Sequence, residues 1–223
     1  ITGSNEIGAA TVTSGKLILE NTGIAGMWNG GLINNAQTEL SVTGSNTINY
    51  GQTLHGGGSY TKTGTGTLQL TGVGSTMSGG LTINQGTVQA SRSRLGTGAV
   101  VINNGGTLYA NDQWVLAGAH EHGEINSNIG TLTINAGGTL YLDPIQGFAN
   151  GATNLNLNGG SVTGGNNSDG RGALFLWNGN EQITAGGATT SSISVSIGLT
   201  GNNNTITVAT GSTLNLSGGF KNS

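Results

Sequence analysis

The sequence predicts an all-β chain wound as a parallel β-helix, a β-solenoid of about nine to ten coils. Three observations lead there. Apolar anchors recur at a spacing close to the length of one coil, apolar and polar residues alternate with a period of two, and Gly supplies 44 of the 223 residues. Gly costs a helix interior about 1 kcal/mol at each position, and no i, i+3, i+4 apolar stripe offsets that cost.

The anchor is an apolar residue that follows a Gly-Thr-like pair and starts an alternating stretch. It stands at Leu17, Leu40, Leu68, Val88, Leu108, Leu140, Val162 and Leu214. Leu68, Val88 and Leu108 are 20 residues apart, and Leu140 follows after 32. The gap of 52 before Leu214 leaves room for further coils, one marked by "SISVSI" at 192–197. The alternation is that of strands: "LQL" at 68–70, "LTI" at 81–83 and 132–134, "LNL" at 155–157 and 214–216. Leu and Ile are expected to point inward, and Thr, Asn, Gln and Tyr outward. A sandwich would place strands 8–12 residues apart around hairpin turns. Strand pairs that repeat as copies favour stacking instead.

Asn84, Asn103, Asn135 and Asn158 each precede an anchor and sit beside Gly86, Gly105, Gly137 and Gly159. Asn and Gly tolerate positive φ, so each coil is expected to turn there. Corners in register would stack their Asn amides into a ladder. Coils ~4.8 Å apart would build a rod of roughly 45 Å, and no composition break divides 1–223, so a single β-helix segment is expected. The Thr pairs could also suggest an ice-binding face. "TLT" at 131–133 precedes its corner while "TGT" at 65–67 follows one, so no Thr ladder is expected.

Composition narrows the function classes. Leu, Ile, Val and Phe are roughly a fifth of the chain, just above the range of disordered proteins, and the net charge is only −3. Six basic residues without a cluster cannot form a phosphate-binding surface, so nucleic acid is not an expected partner. The apolar runs fall far short of the ~18–20 residues that cross a bilayer, so no membrane span is expected. Cys is absent, which removes disulfides and thiolate metal sites. The chain starts at Ile1 without a signal-like segment and reads as a piece of a longer protein.

The stretch 58–110, "GSYTKTGTGTLQLTGVGSTMSGGLTINQGTVQASRSRLGTGAVVINNGGTLYA", carries a family resemblance. It resembles the autotransporter-associated β-strand repeat of bacterial autotransporter passengers. The likeness runs through Lys62, Gly64, Gly66, Leu68, Leu70 and Gly72, then Gly79, Gly80, Ile83, Gly86 and Val88. Met77 takes the place of the usual aromatic before the paired glycines, and Val88 that of a common Leu. Degenerate copies, "INNGGTL" and "INAGGTL", extend it along the chain. The resemblance implies a right-handed parallel β-helix, exported through the outer membrane of a Gram-negative cell and displayed on its surface or secreted. Adhesion and self-association are the functions it suggests, with proteases and esterases as rarer members.

Candidate sites are weak. "NDQWVLAGAHEHGEIN" at 111–126 lies in the long coil or loop 111–131, where His120 and His122 alternate around Glu121, with Glu124 and Asp112 near. On a strand both imidazoles would share a face and could hold a divalent metal. A polar loop is the plainer reading, and no metal or cofactor is assigned. "NNSDGRG" at 166–172 offers one carboxylate, Asp169, where a calcium loop needs several. Trp28 and Trp177 in "MWNG" and "LWNG", with Trp114, could stack on sugar rings, although a thin core would also use them as fillers. No pair of acids stands out for hydrolysis, and "GxSxG" does not occur. The expected function is therefore a non-enzymatic adhesin or self-association scaffold. Its partners would be glycans, host matrix proteins or a second copy of itself. The rival readings are a carbohydrate-active or esterase-type enzyme on a β-helix, and an ice-binding solenoid.

Overall fold

A computed structural model describes residues 10–21, 31–72, 75–91, 95–112, 115–116, 129–143, 150–151, 154–165, 173–176, 180–199 and 203–222. Among these residues the secondary structure is strand and turn, with no helix. Every strand pair is parallel, and each strand lies beside its counterpart one coil away.

The solenoid has three faces. Face I is a nine-stranded sheet running from Lys16–Asn21 and Gln37–Val42 through Ser59–Thr63 and Leu81–Ile83 to Thr205–Val208. Face II has eight strands, from Thr47–Tyr50 and Thr67–Leu70 through Gly86–Ala90, Gly106–Ala110, Thr139–Leu142 and Ser161–Gly164 to Thr213–Leu216. Face III is two blocks of four: Ala10–Val12 to Thr76–Met77, and Asn150–Gly151 to Phe220–Asn222. The full turns number about seven, fewer than nine or ten. Face I still has nine strand levels; among the described residues the third face, with two blocks of four, lacks a strand at some of them.

Side chains inside the solenoid stack in columns. On face II, Leu68, Val88, Leu108, Leu140 and Val162 lie directly over one another and are fully buried, as their spacing predicts. The other anchors sit elsewhere. Leu17 and Leu40 belong to face I and differ by two positions in register, since Leu40 pairs with Leu19. Leu214 pairs with Ser191, so Leu216 continues the Val162–Ile193 column instead. A Gly-Thr-like pair marks the entry to a strand, and two of the three faces have such entries; the local pattern cannot say which.

Two residues before each anchor of the Leu68–Val162 column stands a glycine, and Gly106 shows why. A Cβ there would lie 2.5 Å from the Ile83 carbonyl oxygen of the previous coil. Gly86 adds a second demand, with φ of 71° and a Cβ that would meet the Gly64 carbonyl oxygen at 2.4 Å. The corners are so tight that backbone passes over backbone.

The Asn ladder forms. Asn103 donates to Asn84 Oδ1 (2.7 Å), Asn135 to Asn103 Oδ1 (2.7 Å) and Asn158 to Asn135 Oδ1 (3.1 Å). The positive φ falls on the glycines alone: Gly86, Gly105, Gly137 and Gly159. Division of labour follows, with Gly making the turn and Asn tying successive turns together. Tyr departs from the outward expectation. Tyr50 and Tyr60 are buried, Tyr60 donating to the His55 carbonyl at 2.8 Å, and burial pushes the Tyr50 hydroxyl up to about 12. A buried phenol whose hydroxyl finds a carbonyl fills a wide coil at little polar cost.

Leu108→Asp places an unpaired carboxylate in the face II column and should cost several kcal/mol, read as a fall in the urea midpoint. Gly106→Ala should cost about 1–3 kcal/mol through backbone collision. Gly51→Ala is the control, because its Cβ would meet nothing nearer than Thr71 Oγ1 at 3.8 Å. Equal stability of these two glycine variants would contradict the close coil contact at Gly106.

Candidate functional site

Trp28, Trp114, His120, His122 and Trp177 all lie outside the described residues, as do Glu121, Glu124 and Asp169. Among the described residues no three of His, Asp and Glu gather within reach of one metal ion. Asp112 is described and half-buried at the start of the insertion. Thr131, the last residue of the expected loop 111–131, opens a face I strand, and residues 113–114 and 117–128 of that stretch lie outside the described residues.

The described surface offers a different candidate, the outer side of face II. Thr47, Thr67, Thr87, Thr107 and Thr139 stack in one outward column. A Thr ladder therefore does exist, contrary to the expectation from "TLT" and "TGT". Those two motifs occupy different faces, Thr131 and Thr133 on face I and Thr67 on face II, so their mismatch has no bearing on the column.

Two residues along each strand runs a second outward column: Asn49, Gln69, Gln89, Tyr109, Tyr141 and Thr163. Gln69 donates to Gln89 Oε1 at 3.0 Å. Tyr109 and Tyr141 meet edge to face, with ring centroids 5.2 Å apart and planes at 88°. Rings standing beside the threonines make this surface ridged and not flat. Between the columns runs an open trough of about 440 Å³, lined by Thr87, Thr107, Thr139 and the two tyrosines. Tyr109 donates its hydroxyl to Asp143 Oδ2 at 2.8 Å, and that bond to the carboxylate holds the phenol above its usual pKa. Tyr141 is 39% exposed. The sequence does carry a signal for this pair, a Tyr directly after the anchors Leu108 and Leu140. Only the strand register shows that the two tyrosines are neighbours.

A second unforeseen feature is Lys62. It occupies the inward face I column between Leu40 and Ile83 and is fully buried. Its Nζ donates to the carbonyls of Thr63 (2.7 Å), Gly64 (2.7 Å) and Gln85 (3.2 Å). The ammonium thus closes a corner of its own coil and staples it to the next. Burial pushes its pKa down to about 8.

The profile of the passenger-associated-transport-repeat family matches residues 61–90. This segment runs from face I around to the Gly86–Ala90 strand of face II and holds both the Lys62 staple and the tight glycines. The repeat and the β-solenoid together fit an autotransporter passenger domain. No curated protein and no solved structure matches the chain. A passenger repeat implies export to the cell surface or secretion.

In the passenger repeat, the Lys62 position has a measurable consequence. The folded state releases the Lys62 proton near pH 8, whereas the unfolded chain holds it to about 10.4. Between those values the unfolded state binds more protons, so stability rises with pH. Relative to Lys62→Met, the native chain should gain on the order of 1 kcal/mol from pH 8 to 10 in urea unfolding. The full ~1.4 kcal/mol per unit is not expected, because the three carbonyls favour the ammonium. A constant difference across that range would refute the lowered pKa of Lys62.

Proposed function

We propose that the chain is a non-catalytic surface scaffold that adheres or self-associates through its polar flanks. The observation that carries this reading is face II. Its eight strands contain no charged residue, and their outward columns are Thr, Ser, Asn, Gln and Tyr. The ion pair between Lys16 and Glu39 lies on face I. A neutral face cannot attract partners over long range. It can make many short hydrogen bonds, each worth ~0.5–1.5 kcal/mol net, to glycans, matrix proteins or a second copy. Useful adhesion then comes from repetition along a rigid rod and between many rods on one cell, an avidity effect.

Cells that display the chain densely should clump or bind glycan-coated surfaces, while a single purified copy binds weakly. Both effects should change little between 50 and 300 mM salt, because screening acts on charge. Turnover of a glycan or ester by the purified chain would replace this reading with an enzymatic one.

A further inference from the structure

We propose that the trough beside Tyr109 and Tyr141 binds a neutral pyranose unit of a glycan. This rests on the adhesive reading for its biological setting, but its chemistry stands on the trough alone. One wall is a pair of aromatic rings and the other is Thr87, Thr107 and Thr139. Tyr109 and Asp143 add a phenol and a carboxylate already joined by a hydrogen bond. A ligand that fits must present an apolar C–H face to a ring and several hydroxyl groups to its edges. A pyranose does both.

Other ligand classes fit less well. Among the described residues the eight strands of the face carry no Lys or Arg, so an anionic ligand finds no counter-charge on the strands themselves. An extended peptide gains its affinity by adding to a sheet edge. The trough instead crosses the middle of a sheet, where the backbone groups of Gly86–Ala90, Gly106–Ala110 and Thr139–Leu142 are spent on one another. A purely apolar ligand would strand the threonine hydroxyls. The trough spans three coils, roughly 10 Å at ~4.8 Å per coil, so two sugar units can lie along it.

Among the described strands of face II this aromatic wall is built once. Tyr141 is followed in its column by Thr163, and Tyr109 is preceded by Gln89, so the aromatic wall covers just two coils. Beyond Asp143 the next coil presents Gly165, whose amide donates to the Leu142 carbonyl.

Saturation-transfer NMR on the 223-residue chain tests this with methyl glycosides of glucose, galactose, mannose and N-acetylglucosamine, with lactose and cellobiose, and with a sulfated disaccharide. At least one neutral sugar should receive saturation on its ring C–H protons. Tyr141→Thr should lower its affinity at least tenfold while the chain stays folded with only a small fall in melting temperature, because Thr163 already occupies that position one coil on. Tyr109→Phe should lower it about threefold by releasing Asp143. Amide shifts in the native chain on titration should centre on Thr87, Thr107, Thr139 and the tyrosines, a readout that needs no variant. No transfer to any neutral sugar, shifts centred elsewhere, or tighter binding of the sulfated sugar would each overturn the proposal. Cells that still clump when the purified chain binds no sugar would sink the site and leave the adhesive reading intact. Sugar binding with neither clumping nor adhesion would do the reverse.

Discussion

In-register parallel stacking at a separation of ~4.8 Å is the constraint on which the other features of this chain depend. Each residue is forced to lie on the residue that occupies the same position one coil away, as Leu108 lies on Val88 and Tyr109 on Gln89. Equivalent side chains must therefore be mutually compatible. Amides satisfy this by donating along the column, which the ladder from Asn84 to Asn158 does. Apolar residues satisfy it by dispersion contact. At the tightest corners no side chain fits, and the column from Gly66 through Gly86 and Gly106 is what remains.

A cross-section this narrow leaves a thin core, and departures from apolarity inside it reveal how strictly polar groups must be paired. Lys62 and Tyr60 are neighbours in one strand, both fully buried, and each sends its polar end to backbone carbonyls. The Lys62 stem reaches a corner at Thr63 and Gly64, while the Tyr60 hydroxyl reaches the carbonyl of His55 in a face III strand. Lys62 thereby converts a position in an apolar column into a link between coils. In the adjacent inward column Thr38 stacks with Tyr60, and its buried hydroxyl has no hydrogen-bond partner. A cost of that kind is tolerable where the surrounding ladder of backbone bonds is continuous.

The outer surface obeys the same stacking rule but with solvent as the second partner, which relaxes it. Thr recurs along one face II column because β-branched side chains suit extended backbone, while the adjacent column changes from Asn through Gln to Tyr. Relief appears where this second column changes size. The trough beside Tyr109 and Tyr141 is such a step: two large rings follow two glutamines, with threonine next. Repetition supplies the rigid wall, and the local break in repetition supplies the concavity.

By itself the sequence determined the all-β class, the inward stack of Leu68, Val88 and Leu108, the corner glycines and the Asn ladder. All of these follow from local period, because the 20-residue return places identical short patterns over one another. The tertiary structure decided which face each strand joins. It moved Leu17 and Leu40 to face I, shifted Leu214 out of the anchor column, turned Tyr60 and Lys62 inward, and assembled the Thr column that motif positions seemed to deny. Its physical reason is that face and register are set by where each coil turns, and a turn displaced by two residues preserves the alternation while changing every neighbour. The Tyr109–Tyr141 pair, 32 residues apart in the chain and 5.2 Å apart in space, exists only through that register.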